Sequence, residues 1–364
     1  MTRSLNLTVL LTTLLLLVAP ARAEKTEQAL PPQAVGDNTM VAVYVDVTQM
    51  DPRVLAGLGQ MLKDLTGNET LRGQGLALPV GDPDQVVDGL ALLRDSFLQA
   101  GGEGIAMTIE MPSEESWSPP MSLLMKTGDT FDVNAMDGMV RSMSEGQGDT
   151  TIDALGNGWQ NIVIKAKDGQ AVTLPLPNKP SDAAFTALNK QLTQRKKPMF
   201  AVAFRMQDEI REMMAQAEEA AQNVQPGQGE DPQAQMMMGM LVGMFKPVHS
   251  LDTIGLAISR TDAGEMLVDA QMTFENAQSA QQFATTYNTI LTFAPVILAQ
   301  AGQGGEIENM PDPATINRFF MKMRMQTVGE SLKLRLDQEF LDLAQKLAPF
   351  FEGMQGQLVP GAEL

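Results

Sequence analysis

Methionine is the residue type whose number and spacing point most directly to chemistry in this sequence. The chain has 27 methionines and no cysteine, and Met321, Met323 and Met325 stand at alternate positions. Soft thioether sulfurs are ligands for Cu(I), so a copper site is one hypothesis for these three residues. The same alternation is typical of the buried face of a strand, with Lys322 and Arg324 on the opposite, solvated face. No histidine accompanies the three, and the sequence favours core packing.

A second methionine cluster has helical spacing. Met236, Met240 and Met244 recur every fourth residue, which predicts an apolar stripe on one face of a helix. Such a stripe is typical of a helix that packs into a core. The sequence therefore favours core packing for this cluster as well, with Cu(I) binding as the alternative.

Other residue types supply no recognisable catalytic motif. His249 is the single histidine, which is too few for a usual zinc site, and its place at the end of a predicted helix favours a structural role. Asp82, Asp84 and Asp88 resemble the start of a calcium loop, but the closing glutamate is missing. Phosphate-binding glycine loops and the sequence signatures of serine nucleophiles are absent as well. The sequence thus predicts no catalytic residue and no cofactor.

Paired carboxylates remain the one hydrolytic alternative. Two acidic side chains suffice for acid–base hydrolysis, and the chain has 44 of them, so sequence spacing does not single out a pair. Sugar clefts usually stack rings on aromatic side chains, yet the chain has only two tryptophans and two tyrosines. A carboxylate-dependent hydrolase is therefore the alternative rather than the main hypothesis.

The first 23 residues are typical of a cleavable secretory signal. Arg3 precedes an apolar run at residues 9–18, and Ala21 and Ala23 give the small-x-small pattern of signal peptidase sites. We expect cleavage between Ala23 and Glu24. The apolar run is shorter than the roughly 20 residues that span a bilayer, so no integral membrane segment is expected after cleavage. The sequence predicts an exported protein, either periplasmic or secreted.

Charge and composition restrict the partners of the mature chain. The full chain has a net charge of −18, and removal of Arg3 and Arg22, with no acidic residue, leaves −20. Such a surface repels nucleic-acid backbones and anionic lipid headgroups, so no nucleic acid is expected as a partner. Without cysteine, the fold has no disulfides and rests on packing, and 44% hydrophobic residues allow a sizeable core.

The elements that must position any site form two similar sets. The first set has predicted strands at residues 40–47, 104–111, 121–127, 160–167 and 170–174, and helices at 51–65, 82–100, 132–144 and 181–192. The second set has strands at 199–206, 253–260, 265–274, 319–328 and 331–337, and helices at 207–222, 231–247, 275–301 and 338–351. Both read βααββαββα, which indicates an internal duplication. Asp-Gly at 168–169 is the predicted turn of one hairpin, and Asp51, Asp82, Asp231 and Asp312 each precede a proline as predicted helix caps.

Hairpins rather than regular strand–helix alternation predict an α+β fold, with an antiparallel sheet covered by helices in each module. The expected organisation is a signal peptide at 1–23, a flexible tether at 24–38, module one at 39–195, module two at 196–353 and a tail at 354–364. The join lies near the basic segment at 195–198.

The start of the mature chain, Met-Val-Ala-Val-Tyr-Val-Asp-Val-Thr-Gln-Met-Asp-Pro-Arg-Val at 40–54, resembles uncharacterised exported proteins of planctomycete-type bacteria. The likeness lies in a strand, an aspartate, a short turn and a helix, and in the overall layout. It implies export and supplies no activity or functional residues.

These observations favour an exported, non-enzymatic protein that binds a protein partner or a small apolar ligand. Adaptable methionine-rich surfaces suit such binding. The alternatives are the carboxylate-dependent hydrolase and Cu(I) binding by Met321, Met323 and Met325.

Overall fold

The fold was analysed in a computed structural model, which describes residues 29–50, 91–92, 94–111, 120–143, 148–166, 173, 176–177, 179–194, 198–223, 247–261, 263–303 and 311–358. The strands are β1 (Thr39–Asp46), β2 (Gly102–Glu110), β3 (Met121–Thr127), β4 (Gly148–Gly156), β5 (Trp159–Ala166), β6 (Phe200–Arg205), β7 (Leu251–Arg260), β8 (Met266–Phe274), β9 (Gln326–Val328) and β10 (Ser331–Leu336). The helices are α1 (Val133–Met143), α2 (Asp182–Leu192), α3 (Asp208–Asn223), α4 (Ala277–Gln303), α5 (Pro313–Lys322) and α6 (Gln338–Leu358). Residues 94–99 are also helical.

The ten strands form one antiparallel sheet, in the order β4-β5-β3-β2-β1-β6-β7-β8-β10-β9. This confirms the α+β class that the hairpin pattern predicted. None of the helices among the described residues is both long and apolar enough to cross a membrane.

The chain divides into two compact units whose boundaries differ from the predicted modules. Unit one comprises Met1–Arg205 and Gly255–Gly264, and unit two comprises Met206–Ile254 and Glu265–Leu364. The predicted join near residue 195 lies ten residues before the end of the first segment of unit one. Strand β7 contributes residues to both units.

Unit one is built on the face of the sheet where small side chains allow a helix to approach closely. Helix α2 packs against β1 and β6, and Ser181 caps it by accepting a hydrogen bond from the Ala184 N–H. The core under this helix contains alanines of the central strands together with larger side chains of α2, namely Ala42, Ala106, Ala201, Ala203 and Ala257 with Leu188 and Leu192.

The predicted tether at 24–38 is wrong for its described part, because residues 29–38 are packed into unit one. Leu30 and Val35 are fully buried in the same core as α2. The Ala29 N–H donates to Asn189 Oδ1 at 3.1 Å, and the Ser181 N–H donates to the Val35 carbonyl at 2.8 Å. A polar, proline-containing segment is thus held by buried apolar residues that composition alone did not reveal.

Unit one contains a hairpin, formed by β4 and β5, that the sequence did not predict. The predicted turn at Asp168-Gly169 lies outside the described residues. The observed hairpin joins β4 to β5 through Asn157 and Gly158, which have φ values of 52° and 74°. Two successive positive φ values are typical of the tight hairpin turn that Asn-Gly favours. The strand predicted at 160–167 pairs along its length with residues 148–156. Thr173, the described residue of the strand predicted at 170–174, also bonds to it, because its N–H donates to the Ile164 carbonyl at 3.2 Å.

Unit two places helices α5 and α6 around an aromatic core. The Phe319 and Phe340 rings stack with centroids 4.9 Å apart, in a cluster with Ile316, Leu343 and Leu347. The strand predicted at 319–328 is wrong, because α5 runs to Lys322 and only Gln326–Val328 is strand.

The structure bears on two further predictions for unit two, the helix cap at Asp312 and the start of the C-terminal tail. Asp312 stands at the N-cap of α5 as predicted, but its carboxylate accepts from the Thr315 hydroxyl at 3.4 Å and not from a backbone N–H. The tail predicted to begin at residue 354 begins later, because α6 continues to Leu358. The other three predicted caps, Asp51, Asp82 and Asp231, lie outside the described residues.

Candidate functional site

The strongest candidate site in unit one is an apolar sheet face on the side opposite α2. Large side chains alternate with the buried alanines along the central strands, so they all project to this second face. Several of them are partly exposed, and we call six of these the open face: Val41, Ile109, Leu123, Val202, Phe204 and Leu256.

Strand register makes the members of the open face neighbours. Val41 pairs with Phe204 on one side and with Ile109 on the other. Leu123 pairs with Met107 one row further along. Directly paired side chains lie about 4.5–5.5 Å apart at Cβ, so Phe204, Val41 and Ile109 form a row across β6, β1 and β2, and Leu123 of β3 lies diagonal to Ile109.

The same face becomes buried toward the other end of β1. Val45 and Phe200 form a pair that is almost fully buried, and Met107 and Met125 are buried in the adjacent strands. The 3-10 turn Val47–Gln49 follows β1 directly at this buried end. The open face is thus the more exposed end of an apolar surface that is mostly buried at its other end, where Ile105 also stays partly exposed.

Two charged side chains near the open end of the strands, Arg205 and Glu110, lie against the segment that precedes β1. Arg205, at the end of β6, donates from Nη1 to the Asp37 carbonyl at 2.8 Å. The Glu110 carboxylate lies beside Gly36, and burial raises its pKa above the usual value. Nothing in these contacts brings two carboxylates together over the open face.

Asp46 is the buried carboxyl of unit one that most resembles a catalytic group. It is 5% exposed, and burial raises its pKa although hydrogen bonds from Thr48 oppose the shift. Its Oδ1 accepts from the Thr48 N–H at 3.0 Å and from the Thr48 hydroxyl at 2.5 Å. The acidic group that influences it, Glu103, is exposed. Asp46 therefore caps the turn after β1 and has no buried acidic partner.

Unit two has a cluster of charges where α5 ends and α6 begins. Lys322 Nζ lies 2.6 Å from Asp337 Oδ2 and 2.5 Å from Glu339 Oε2, and Arg318 also contacts Glu339. The hydrogen bond from Lys322 lowers the pKa of Glu339 and, against the opposing effect of burial, that of Asp337. Asp337 caps α6 by accepting from the Phe340 N–H at 3.0 Å. The acids are paired with cations in structural contacts between helices.

The three methionines of the copper hypothesis do not lie on one strand face. Met321 is in the last turn of α5 and is 49% exposed. Met323 packs against the aromatic core of unit two. Met325 precedes β9 and exchanges two backbone hydrogen bonds with the Asn288 side chain, at 3.0 and 3.1 Å. The prediction of a shared buried face is wrong, because the segment turns from helix to strand within these five residues. Cu(I) binding stays a prediction.

The remaining candidates from the sequence are the single histidine, the acidic residues and the signal cleavage site. His249 lies in a turn before β7 and is partly exposed. Within the described residues, no group of three or more histidine, aspartate or glutamate side chains is arranged to hold a metal ion. The signal cleavage site at Ala23 and Glu24, the stripe of Met236, Met240 and Met244, and the aspartates at 82, 84 and 88 lie outside the described residues.

Sequence reasoning missed the open face although its signal was present. In Phe200-Ala-Val-Ala-Phe204, large and small side chains alternate strictly, and the same alternation occurs at Val41-Ala-Val43. One face of such a strand has small side chains, so a helix can pack closely against it. The other face has large side chains and must be covered by something else. The sequence predicts strands at 40–47 and 199–206 but does not predict which face of each strand a helix covers.

Comparisons with protein-family models, with curated proteins and with solved structures find no match to this chain.

Proposed function

We propose that this protein is an exported binding protein without catalytic activity, which holds a small apolar ligand or an apolar segment of a protein partner against the open face. The observation that carries the proposal is the group of partly exposed large side chains on β1, β2, β3, β6 and β7. Ligand sites are lined mainly by apolar side chains, and covering such a surface stabilises a complex by about 25 cal/mol per Å².

The polar groups of unit one support binding rather than hydrolysis. A carboxylate-dependent hydrolase needs two acids on either side of the scissile bond. Asp46 is committed to Thr48 at the end of β1, and Glu110 lies beside Gly36 at the end of β2. Asp46 and Glu110 therefore give no pair in unit one on which to build the alternative.

We further propose that the chain is an internal duplication, and the strand order supports this. Outward from the central pair β1 and β6, each side of the sheet shows its strands in the chain order first, second, third, fifth and fourth. Two unrelated five-stranded halves would have no reason to share this order.

The register of the central pair agrees with a duplication. Met40-Val-Ala-Val43 corresponds to Met199-Phe-Ala-Val202, so Val43 and Val202 are equivalent positions. These two residues pair directly. An antiparallel pair of equivalent strands related by a local two-fold axis requires such a self-pairing position.

The second strands of the two halves share a motif. Gly104-Ile-Ala-Met-Thr108 in β2 corresponds to Gly255-Leu-Ala-Ile-Ser259 in β7. Ala106 and Ala257 are both buried in the core under α2. The two halves thus use the same small residues to accommodate helix packing.

The proposed duplication makes two residue pairs on the face of β1 and β6 equivalent. The local axis through Val43 and Val202 relates the pair Val41–Phe204 to the pair Val45–Phe200. The second pair is buried, whereas both members of the first are partly exposed. One of two equivalent apolar rows is therefore left for a ligand or partner to cover.

The test is binding of the neutral, polarity-sensitive dye Nile red to the purified chain. Val202→Thr replaces one methyl group by a hydroxyl of the same shape, and burying that hydroxyl under an apolar ligand costs about 1–3 kcal/mol. We expect affinity to fall about tenfold, which corresponds to 1.4 kcal/mol. The measurement is a fluorescence titration, with urea unfolding to confirm that the variant folds.

Val133→Thr is the matched control, because Val133 is 47% exposed at the start of α1 and belongs to no strand of the open face. It should leave dye affinity unchanged. Equal affinities of the two variants, or no dye binding by the folded chain, would exclude the open face as a ligand site.

A further inference from the structure

The two edges of the sheet differ in how far they are protected. Strand β9 forms one edge and is only three residues long. Strand β4 forms the other edge and has nine residues, Gly148–Gly156. Short edge strands are one of the devices by which proteins avoid pairing with other chains, and long ones present a row of unpaired backbone groups.

Among the described residues, the outer side of β4 has no backbone hydrogen-bond partner, although helix α1 packs against this strand. Its ladder partner is β5, and the backbone hydrogen bonds found outside the regular elements do not involve residues 148–156. Asp149, Thr151 and Asp153 are exposed and lie on one face of the strand. Proline and lysine are absent from β4, and its edge-protecting features are Asp149, Asp153 and a register irregularity between Ala154 and Gly156.

We propose that β4 is a self-association surface, which pairs antiparallel with β4 of a second copy of this chain, about a two-fold axis at Ile152. Closed two-fold dimers are the commonest assembly of identical chains. The pair β1–β6 already shows the same geometry inside this chain, with Val43 opposite Val202.

Charge selects this register among those centred on a residue near the middle of β4. With Ile152 opposite itself, Thr151 faces Asp153 of the second copy, and each threonine hydroxyl can donate to the facing carboxylate. A register centred on Thr151 places Asp149 opposite Asp153, and one centred on Asp153 places that residue opposite itself. Like charges directly opposite are destabilising, so both of these registers are disfavoured.

The same charges predict how association depends on salt. Each β4 brings two carboxylates to the interface, and each chain carries a net charge of −18. Screening over about 8–10 Å at physiological salt reduces this repulsion, so association strengthens as salt increases.

The experiment uses the absence of cysteine in the full chain. Ile152→Cys puts two thiols directly opposite each other, with Cα atoms about 4.5–5.5 Å apart, which is within disulfide range. Ala154→Cys is the matched control on the same face, because its two copies lie about 14 Å apart along the strands. After oxidation with diamide, we expect a cross-linked dimer on a non-reducing gel for Ile152→Cys and at least tenfold less for Ala154→Cys.

A second pair of variants guards against a folding defect, since Ile152 is partly buried. Thr151→Cys and Asp153→Cys change exposed residues, and the proposed register predicts cross-linking when the two proteins are mixed and little when either is oxidised alone. Sedimentation equilibrium of the unmodified chain should show a dimer that strengthens with salt. A monomer at every salt concentration, or cross-linking that ignores position, overturns the proposal without bearing on ligand binding at the open face.

Discussion

Asp46 ends β1 with its carboxylate held inside unit one, and the surrounding groups act on it in opposite directions. Burial penalises the charged form, while the N–H and hydroxyl of Thr48 favour it. Burial prevails, and the pKa is raised. A residue with a clear structural role as a turn cap therefore also makes the stability of the protein depend on pH.

The sign of that dependence follows from proton binding. With a raised pKa, the folded protein holds the proton more tightly than the unfolded chain, whose aspartate pKa is about 3.9. The contribution of Asp46 to stability is fully present below the unfolded pKa and decreases as pH rises toward the folded value. Asp46→Asn removes this titration and keeps an oxygen acceptor for Thr48.

We therefore expect the free energy of unfolding of the wild type, minus that of Asp46→Asn, to decrease with rising pH through this window and then to level off. Urea unfolding at a series of pH values from 4 to 7 measures the difference. A difference that stays constant, or that grows with pH, would mean that the carboxylate is well solvated in the folded protein.

Residue identity also explains which face of the central sheet is covered. Alanines at 42, 106, 201, 203 and 257 let α2 approach closely, and the larger residues between them face away from it. Packing at native density requires such a match between side-chain size and the distance between layers. The open face is a consequence of the same alternation.

At the scale of elements, the hairpin between β4 and β5 depends on Gly158. An added Cβ at Gly158 would lie 2.7 Å from the Thr127 carbonyl oxygen. The Gly158 carbonyl in turn accepts from the Thr127 N–H at 2.7 Å and from its hydroxyl at 3.0 Å. These two hydrogen bonds hold the turn against β3, so Gly158 cannot move away from Thr127 without breaking them.

Gly158→Ala should therefore destabilise the protein by more than the positive φ of 74° alone accounts for. Gly156→Ala provides the control, since Gly156 has a φ of 86° in the same hairpin and open space around its Cβ position. We expect about 1 kcal/mol for Gly156→Ala and at least about 1 kcal/mol more for Gly158→Ala. Urea unfolding measures both, and equal losses would show that β3 yields to the added methyl group.

Element prediction succeeded where local signals were complete. The hairpin between β7 and β8 turns at Gly264 with a φ of 86°, between the strands predicted at 253–260 and 265–274. Helix α2 begins after Ser181, the residue that the sequence predicts as its start. Prediction failed at residues 319–325, because alternating methionines match a strand while Pro313 and the packing of Phe319 stabilise a helix.

At the scale of the whole molecule, export is a proposal that processing of the chain can test. Expressed in a bacterium with a general secretion pathway, the mature protein should begin at Glu24 and carry a net charge of −20, two arginines having left a chain of −18. Ala23→Lys places a long cation where signal peptidase requires a small residue, so the precursor should accumulate uncut. Intact mass and N-terminal sequencing report both outcomes.

Arg22→Lys is the matched change for that experiment, because it alters the middle position of the same Ala-x-Ala segment and should leave cleavage intact. Retention of the full-length chain in the cytoplasm by the unaltered protein would contradict export and would leave the binding proposal untouched.

Sequence by itself determined the α+β class, the hairpin-rich layout, the absence of disulfides and the positions of several caps and turns. These features follow from alternation, from glycine at positive φ and from residue composition, all of which act over a few neighbouring residues.

Tertiary structure alone decided that Leu30 and Val35 belong to the core. It also decided that the open face on β1 and β6 stays partly exposed and that β4 is an edge strand. Each of these depends on which segment lies against which. Burial and strand neighbours are set by contacts between residues far apart in the chain, and a local pattern fits equally well whether its apolar side is covered or exposed.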